Sequence, residues 1–361
     1  TGKPLGTDFL AFWSASTLAL NGRASAVYDL AQIYAMERGS MPVDPGLSSF
    51  LYPPPFLLLC LPLGLAPYFV SLTIWLVTTG AAYWLVVRRW LGNHAGAARG
   101  ATMTILAYPA VIMNVGHGQN GFLTAALLGG GLWLLDRRPL LAGALLGALI
   151  IKPQMAFAIP ILILASARWR VMLSGALTAL LLCVASWFVF GPGAWNGFLA
   201  GGETGRGILE HGLVEPGKLV SVFAAVQVLH GGVALGYFIQ GMVAVIAAIV
   251  LATVARRRTV QPGGDAALCV CAGALISPFF LDYDLTVMAI PLAWLFAEGL
   301  RRGFLPWEKA ILVAGYLLPL VARDLALNFG IPIGPLVLIA LLSACGRAAV
   351  WQAGVDPCVR A

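Results

Sequence analysis

The sequence contains few charged residues. Only 10% of its 361 residues are Asp, Glu, Lys or Arg, whereas a soluble domain carries about 25%. This deficit excludes an ordinary cytosolic enzyme, a nucleic-acid-binding protein built on a basic surface and a disordered chain. Hydrophobic residues make up 60% of the chain instead. The composition therefore predicts a protein embedded in a membrane.

The short motifs of soluble nucleotide and metal enzymes are also missing. The sequence has no phosphate-binding loop, no dinucleotide-binding glycine motif and no His-Glu-x-x-His. Six cysteines are too few for a disulfide scaffold. Cys60, Cys183, Cys269, Cys271 and Cys345 lie in apolar runs, where a thiol behaves as a small hydrophobe. Because Cys269 and Cys271 are two residues apart in a predicted helix, they face different directions, which disfavours a metal site there.

Eleven apolar runs bounded by charged or turn residues are candidates for spanning helices, which need about 20 residues each. They are 54–87, 100–113, 121–135, 139–151, 154–167, 171–190, 233–254, 266–277, 284–299, 309–322 and 331–346. The first run contains Pro62 and Pro67, so we expect one broken span or a half-span that returns. The shorter run 219–229 is expected to form a helix at the outer surface. The predicted fold class is an all-α polytopic membrane protein.

Clusters of arginine follow alternate runs, so all of them fall on one side if each run crosses once. They are Arg88, Arg89 and Arg99; Arg137 and Arg138; Arg168 and Arg170; Arg256, Arg257 and Arg258; Arg301 and Arg302; and Arg347. That side holds 15 basic and 5 acidic residues, net +10, and the other side holds 7 and 10, net −3, which together give the +7 of the chain. The positive-inside rule makes the basic side cytoplasmic.

This topology divides the chain into four parts. Residues 1–53 form an outer loop, 54–190 a transmembrane module, 191–232 a second outer loop and 233–361 a C-terminal transmembrane module. The other outer segments are 114–120, 152–153, 277–283 and 323–330. Since Thr1 falls in an outer loop, we expect a further spanning helix before it, which gives about twelve spans. Residues 8–20 and 25–38 are predicted to be amphipathic helices lying at the membrane surface.

Polar and ionisable residues gather at the outer ends of the spans, where burying them is costly and usually serves a function. Four groups stand out: Asp8; His117-Gly118-Gln119-Asn120; Lys152-Pro153-Gln154; and the segment from Ser277 to Asp284. Three of them have a structural alternative. Asp8 would favour a helix dipole, the second group would form a tight turn, and Lys152 would extend its ammonium to the membrane surface.

Taken in order, these motifs resemble glycosyltransferase family 87, also called domain of unknown function 2029, which includes polyprenyl-phosphate-mannose-dependent mannosyltransferases. The residues that carry the resemblance are Asp8, Gly22 and Tyr28; Phe50-Leu51-Tyr52-Pro53-Pro54; Gly118-Gln119-Asn120; Gly143 and Lys152-Pro153-Gln154; and Ser277-Pro278 with Tyr283-Asp284. The resemblance extends over nearly the whole chain. It implies the GT-C fold, a multi-spanning helical bundle whose first outer loop carries a catalytic acid, in a bacterial inner membrane.

The resemblance also implies an activity. A hexose, mannose in the family, would pass with inversion from a polyprenyl-phosphate donor to a glycan or glycolipid acceptor at the outer face. Asp8 is the expected general base. Lys152, with Arg323 second, is the expected contact to the donor phosphate. The other expected substrate contacts are Tyr28, Tyr52, His117, Gln119, Asn120, Gln154, Asp282, Tyr283 and Asp284. Besides donor and acceptor the lipid bilayer is the expected partner, and nucleic acid is not.

Several alternatives stay open at this point. No cofactor is required, but a divalent metal held by Asp8 with Asp282 or Asp284 is possible. A transporter or flippase of a lipid-linked glycan or solute would have internal repeats and a polar site at the midplane. A non-catalytic subunit of a cell-envelope assembly would have no cavity beneath Asp8. The enzyme would be favoured if Asp8, Lys152 and Asp284 line one outward cavity that opens sideways to lipid.

Overall fold

The computed structural model describes residues 5–44, 46–92, 98–211, 215–257 and 259–352, so Arg258 lies outside the described residues. Within these ranges the chain is helical, with one isolated antiparallel bridge between Leu219 and Leu281 and no strand. The helices are α1 (Thr7–Leu20), α2 (Leu30–Ser40), α3 (Pro54–Cys60), α4 (Tyr68–Leu91), α5 (Ala98–Leu106), α6 (Pro109–His117), α7 (Gly121–Leu134), α8 (Pro139–Gly147), α9 (Ala158–Ala165), α10 (Trp169–Glu210), α11 (Val222–Val228), α12 (Val233–Ala255), α13 (Gly264–Ile276), α14 (Ala289–Arg302), α15 (Glu308–Phe329) and α16 (Gly334–Val350). Short 3-10 turns lie at Ala24–Tyr28, Leu61–Leu65, Ala148–Ile151, Pro153–Ala156, Pro216–Lys218 and Asp282–Met288.

Five helical segments among the described residues are long and apolar enough to cross a membrane. They are Tyr68–Leu91, Trp169–Gly207, Val233–Ala255, Asp282–Arg302 and Glu308–Phe329. Shorter apolar helices are Pro54–Leu65, Gly121–Leu134, Pro139–Ile151, Pro153–Ala165, Gly264–Ile276 and Gly334–Val350. Large apolar side chains on the spans face outward, including Phe188, which is 82% exposed. This pattern suits contact with lipid, and the protein is an all-α, multi-pass membrane protein.

Prolines divide two of the predicted runs. The run 54–87 forms α3, a 3-10 turn and, after Pro67, the long α4, which fits the expected broken span. The run 100–113 forms α5 and α6, of nine residues each, instead of the single span predicted. The break falls at Tyr108 because Pro109 disfavours helical geometry at the residue before it.

Within the predicted outer loop 191–232, α10 continues as a helix to Glu210. Gly191 and Pro192 only kink α10, and Gly191 has non-helical angles (φ 71°, ψ 179°). Pro192 fits the first turn of the second half, where its missing N–H costs no hydrogen bond. The predicted outer segment 323–330 is also helical over nearly its whole length, because α15 extends to Phe329.

The first two helices differ in burial. α1 is not the surface helix predicted: eight of its 14 residues are buried, including Phe9, Phe12 and Leu18, and they lie all around the helix. It packs against α2, α3, α4 and α6. In contrast, α2 buries only Ile33 and Glu37, which are one turn apart, as expected for an amphipathic helix. Asp8 is therefore carried by an enclosed helix.

Basic residues lie in the last turns of α4, α14 and α16, and we call this end of the bundle the arginine end. Arg168 bridges Asp136 after α7 and Asp265 in α13, at 2.9 and 2.8 Å. Four residues before Asp265, Gln261 accepts a hydrogen bond from Arg301 (2.9 Å) at the end of α14. Such contacts tie the helix ends together on the side opposite to Asp8 and His117.

An apolar cavity of about 710 Å³ extends from the arginine end towards the middle of the bundle. It is lined by α4, α5, α14 and α15. Val313 and Leu317, on its wall, are 58% and 42% exposed, so the cavity opens towards the lipid-facing surface. At its inner end, the Tyr108 hydroxyl donates to the carbonyl of Leu285 (3.0 Å).

Glu37 is a buried carboxylic acid on the inner face of α2. One of its oxygens, Oε2, accepts a hydrogen bond from the Ser48 backbone N–H (3.0 Å), and Oε1 has no partner among the described residues. Ser48 Oγ in turn donates to the carbonyl of Thr7 (3.1 Å), next to Asp8. Burial raises the pKa of Glu37 to about 7, against the hydrogen bond from Ser48, which lowers it.

We predict that Glu37 makes the folded protein less stable as the pH rises. Because the folded state binds this proton more tightly than the unfolded chain, the stability present at low pH is lost between the ordinary pKa of a glutamic acid and pH 7. We expect a loss of about 1–3 kcal/mol, measured as a fall of the thermal midpoint in detergent between pH 5 and pH 8.

The matched variants are Glu37→Gln and Glu203→Gln, which alters an exposed glutamate on α10. Glu37→Gln should flatten the pH dependence of the midpoint, and Glu203→Gln should leave it as in the wild type. An unchanged pH dependence in Glu37→Gln would contradict the prediction.

Candidate active site

The turn between α6 and α7 brings two polar groups to the start of α1. Gly118 has φ 65°, and a Cβ added to it would lie 2.6 Å from the Cβ of Phe9, so a larger residue would clash. The Gly6 backbone N–H donates to the carbonyl of Gly116 (3.0 Å). The turn can therefore lie directly against α1, with His117 beside Asp8.

Asp8 is held by two side chains of this turn. His117 Nδ1 lies 3.6 Å from Asp8 Oδ1, and Gln119 Nε2 donates to Asp8 Oδ2 (3.2 Å). The Gln119 Oε1 accepts from the Tyr52 hydroxyl (3.1 Å) and the Asn120 N–H (2.8 Å). Since Oε1 is occupied by two donors, the amide group of Gln119 faces Asp8. The side chain of Asp8 stays 21% exposed and can meet a substrate.

The electrostatic surroundings of Asp8 favour its charged form. Burial alone would raise the pKa of Asp8, but the contact with His117, the charge of Lys218 and the hydrogen bond from Gln119 outweigh it and bring the pKa below the ordinary value. Asp8 is therefore an ionised carboxylate at neutral pH, which is the form that can accept a proton.

Lys152 and Asp284 form a buried ion pair below this cluster. The ammonium of Lys152 donates to Asp284 Oδ1 and to Asn120 Oδ1 (3.1 Å). The other carboxylate oxygen of Asp284 accepts from the Leu281 N–H (3.2 Å). The two side chains are 1% and 0% exposed. This placement does not fit the predicted phosphate contact of Lys152, because its charge is already paired and no solvent-accessible face remains.

Tyr283 lies between the two clusters. Its ring centroid is 5.1 Å from Lys152 Nζ, 5.8 Å from Lys218 Nζ and 6.1 Å from the ring of His117. An ammonium group at this distance from an aromatic ring is attracted by the ring's electrons. The hydrogen-bond chain through Gln119, Asn120 and Lys152, with this ring, brings Asp8 and Asp284 into one site although 276 positions of sequence separate them.

Asp282 and Arg323 form the outer edge of the site. Asp282 is 1% exposed; its Oδ1 accepts from the Tyr283 N–H (2.8 Å) and its Oδ2 lies 3.9 Å from Arg323 Nη1. Arg323 is 36% exposed and is also paired with Glu215. Of the two cations predicted to bind phosphate, Arg323 is therefore the accessible one.

Sequence reasoning did not identify Lys218 as a member of the site. Close to Lys218, the Val220 N–H donates to the carbonyl of Phe280 (2.7 Å), which holds this segment next to the one that carries Asp282 and Tyr283. The neighbouring bridge between Leu219 and Leu281 adds to this pairing. Lys218 is the only lysine in the predicted outer segment 191–232, which also contains Glu203, Glu210 and Glu215.

Two predicted contacts lie at the margin of the site. The hydroxyl of Tyr28 donates to the backbone carbonyl of Tyr52 (3.0 Å), so Tyr28 positions the segment that carries Tyr52. Gln154 lies in the 3-10 turn after Lys152 and makes no hydrogen bond with the other described residues. Within the described ranges, no group of three or more His, Cys, Asp or Glu is placed to hold a metal ion.

Comparison with known proteins identifies the family. The family model of glycosyltransferase family 87 matches residues 50–278. The chain belongs to glycosyltransferase family 87. No curated protein and no solved structure matches the chain. The match includes Tyr52, Gln119, Lys152 and Lys218, whereas Asp8 lies before it. As a member of this family, the protein is a membrane glycosyltransferase with a sugar donor and an acceptor.

We predict that Lys152 supports the structure of this enzyme through its pairing with Asp284. The change Lys152→Met leaves the carboxylate of Asp284 buried without its partner, which costs about 3–5 kcal/mol. We expect a marked fall of the thermal midpoint in detergent. The double change Lys152→Met with Asp284→Leu removes both charges and should recover most of that loss.

Lys309→Met serves as the control, because Lys309 lies in α15 near the arginine end, with its ammonium 5.4 Å from the ring of Phe304. Its thermal midpoint should stay at the wild-type value. A Lys152→Met protein that melts with the wild type would show that the pair is not needed for stability.

Proposed function

We propose that this enzyme transfers a hexose, with mannose as the first sugar to test, from a polyprenyl-phosphate donor to a hydroxyl of a glycan or glycolipid. The observation that carries the proposal is the ionised, partly exposed carboxylate of Asp8, held by His117 and Gln119 at the end of the bundle opposite to the arginines. A carboxylate in this state suits a general base better than a structural charge.

The proposed reaction is a single displacement. The acceptor hydroxyl gives its proton to a carboxylate oxygen of Asp8, and its oxygen forms a bond to the anomeric carbon. The bond from that carbon to the phosphate oxygen breaks, and its electron pair stays on the phosphate, so that polyprenyl phosphate leaves. One displacement inverts the anomeric centre. His117 and Gln119 keep Asp8 in position, and Tyr52, Asn120, Asp282 and Tyr283 are proposed to line the sugar site.

The apolar cavity supports a donor with a lipid tail. Its inner end reaches Tyr108, whose hydroxyl bonds to Leu285, the residue directly after Asp284. A lipid chain entering from the bilayer side could therefore lie close to the segment that carries the site. A soluble nucleotide sugar has no lipid tail that could occupy such an apolar cavity.

The proposed orientation of the site in the membrane rests on the charge distribution. If the arginine end is cytoplasmic, as the positive-inside rule predicts, Asp8 and its neighbours face the exterior or the periplasm of a bacterial inner membrane. A polyprenyl-phosphate sugar suits that side, because free nucleotide sugars are cytoplasmic. The concentration of polar residues at one end of the bundle favours this enzyme over a transporter, which would hold its polar site at the midplane.

We predict that Asp8→Asn abolishes most of the transfer. The amide cannot accept the acceptor proton, and loss of a general base lowers the rate by about 10²–10⁴-fold. The measurement is transfer of label from polyprenyl-phosphate mannose to membrane acceptors by purified full-length protein in liposomes. Asp44→Asn, at an exposed loop aspartate that binds Tyr34, is the isosteric control and should keep the wild-type rate.

The same preparation tests the alternatives. A wild-type transfer rate in Asp8→Asn would show that Asp8 is not the general base. Movement of a lipid-linked glycan across the liposome membrane without any glycosylated product would favour the flippase instead. Addition of EDTA shows whether a divalent metal takes part.

The pH dependence of transfer gives a separate prediction for His117. Because contact with His117 helps to keep the pKa of Asp8 below its ordinary value, the change His117→Gln should raise that pKa. Asp8 would then stay protonated to a higher pH. We expect the acidic limb of kcat/KM to move to higher pH by about 1 unit. A limb at the wild-type position or at lower pH would contradict this role of His117.

A further inference from the structure

Lys218 has no close ion pair among the described residues. No carboxylate of these residues lies within 4.0 Å of its ammonium, and the ammonium donates no hydrogen bond to them. The side chain is half-buried, and its ammonium lies 5.8 Å from the ring of Tyr283. Its charge acts at longer range on Asp8 and Asp282. A half-buried ammonium that makes no close ion pair is able to receive an anionic ligand.

The segment that contains Lys218 also contains Glu215, whose carboxylate pairs with Arg323. The Lys218 N–H donates to the carbonyl of Glu215 (2.8 Å) across the 3-10 turn, which fixes the two residues relative to each other. The carboxylate of Glu215 is paired with Arg323, and both side chains are more than a third exposed. An exposed ion pair is weak, so an incoming anion can replace the carboxylate on Arg323. The buried pair of Lys152 with Asp284 offers no such exchange.

We propose that Lys218 and Arg323 together bind the phosphate of the lipid-linked sugar, and that Glu215 occupies the Arg323 half of this site until the phosphate displaces it. This inference rests on the proposed function. It assigns a phosphate contact to Lys218 and a competing internal anion to Glu215.

The negative charge on the donor phosphate increases during transfer, and for this reason the two cations can assist catalysis. A sugar phosphodiester carries one negative charge, and the electron pair of the broken bond makes the leaving polyprenyl phosphate a dianion near neutral pH. Lys218 and Arg323 therefore bind the leaving group more strongly than the donor, which favours the transition state. The same preference would slow product release, and the return of Glu215 to Arg323 opposes this retention.

The test measures binding and transfer separately. Binding of farnesyl phosphate to the purified full chain in detergent is followed by tryptophan fluorescence, with farnesol as the uncharged probe. We expect Lys218→Ala to weaken farnesyl phosphate binding at least tenfold and Lys218→Arg to restore most of it. Glu215→Gln should tighten binding severalfold, because Arg323 loses its internal competitor. Farnesol should bind equally to all variants.

Arg38→Ala and Glu203→Gln are the matched controls, since both residues are exposed and neither lies at the site or on the wall of the apolar cavity, and both should bind like the wild type. All variants are first required to melt at the wild-type temperature. Unchanged farnesyl phosphate binding in Lys218→Ala, weaker binding in Glu215→Gln, or equal losses for farnesol would overturn the inference. Phosphate-dependent binding with the expected ranking, but no sugar transfer, would leave the site standing and reject the proposed function.

Discussion

The site depends on one buried ion pair. Lys152 and Asp284 are almost wholly excluded from solvent, in a region where an unpaired charge is very costly. Each therefore requires the other, and the segment Asp282–Met288 must lie against the turn after α8 and its following 3-10 helix. Asn120 joins this pair through its amide oxygen and fixes the turn between α6 and α7 at the same place. Three distant parts of the chain are held together by this one electrostatic requirement.

The position of Asp8 depends on this buried ion pair. Once Asn120 is fixed, the neighbouring Gln119 can face Asp8, and Gly118 allows the turn to lie against α1. The enclosed position of α1 then restricts the motion of Asp8, which a base needs for efficient proton transfer. A helix lying freely at the membrane surface would hold the carboxylate far less well. The burial of α1 and the position of Asp8 are therefore two aspects of the same arrangement.

The sequence placed Asp8, Lys152 and Asp284 at the outer ends of apolar helices but left open whether they converge, and the structure joins them by a chain of hydrogen bonds. The sequence did not predict which cation would be buried. Lys152 and Lys218 are both lone lysines in outer segments, and only tertiary packing shows that Lys152 is paired with Asp284 while Lys218 has no carboxylate of the described residues within 4.0 Å. Helix limits failed for a similar reason. Gly191 and Pro192 normally end a helix, but Pro192 falls in the first turn after the kink, where its missing N–H costs no hydrogen bond, so the helix resumes.

Exposure therefore decides what each cation can do. Lys152 is enclosed and its charge is balanced, so it can hold the fold but cannot respond to a substrate. Arg323 is accessible, but Glu215 and Asp282 already share its charge. Lys218 is half-buried, which strengthens its electrostatic field, and it acts on Asp8 and Asp282 without a close ion pair among the described residues. In the proposed reaction, a phosphate bound by Lys218 and Arg323 would balance their charges and lie next to Asp8, where the leaving group departs.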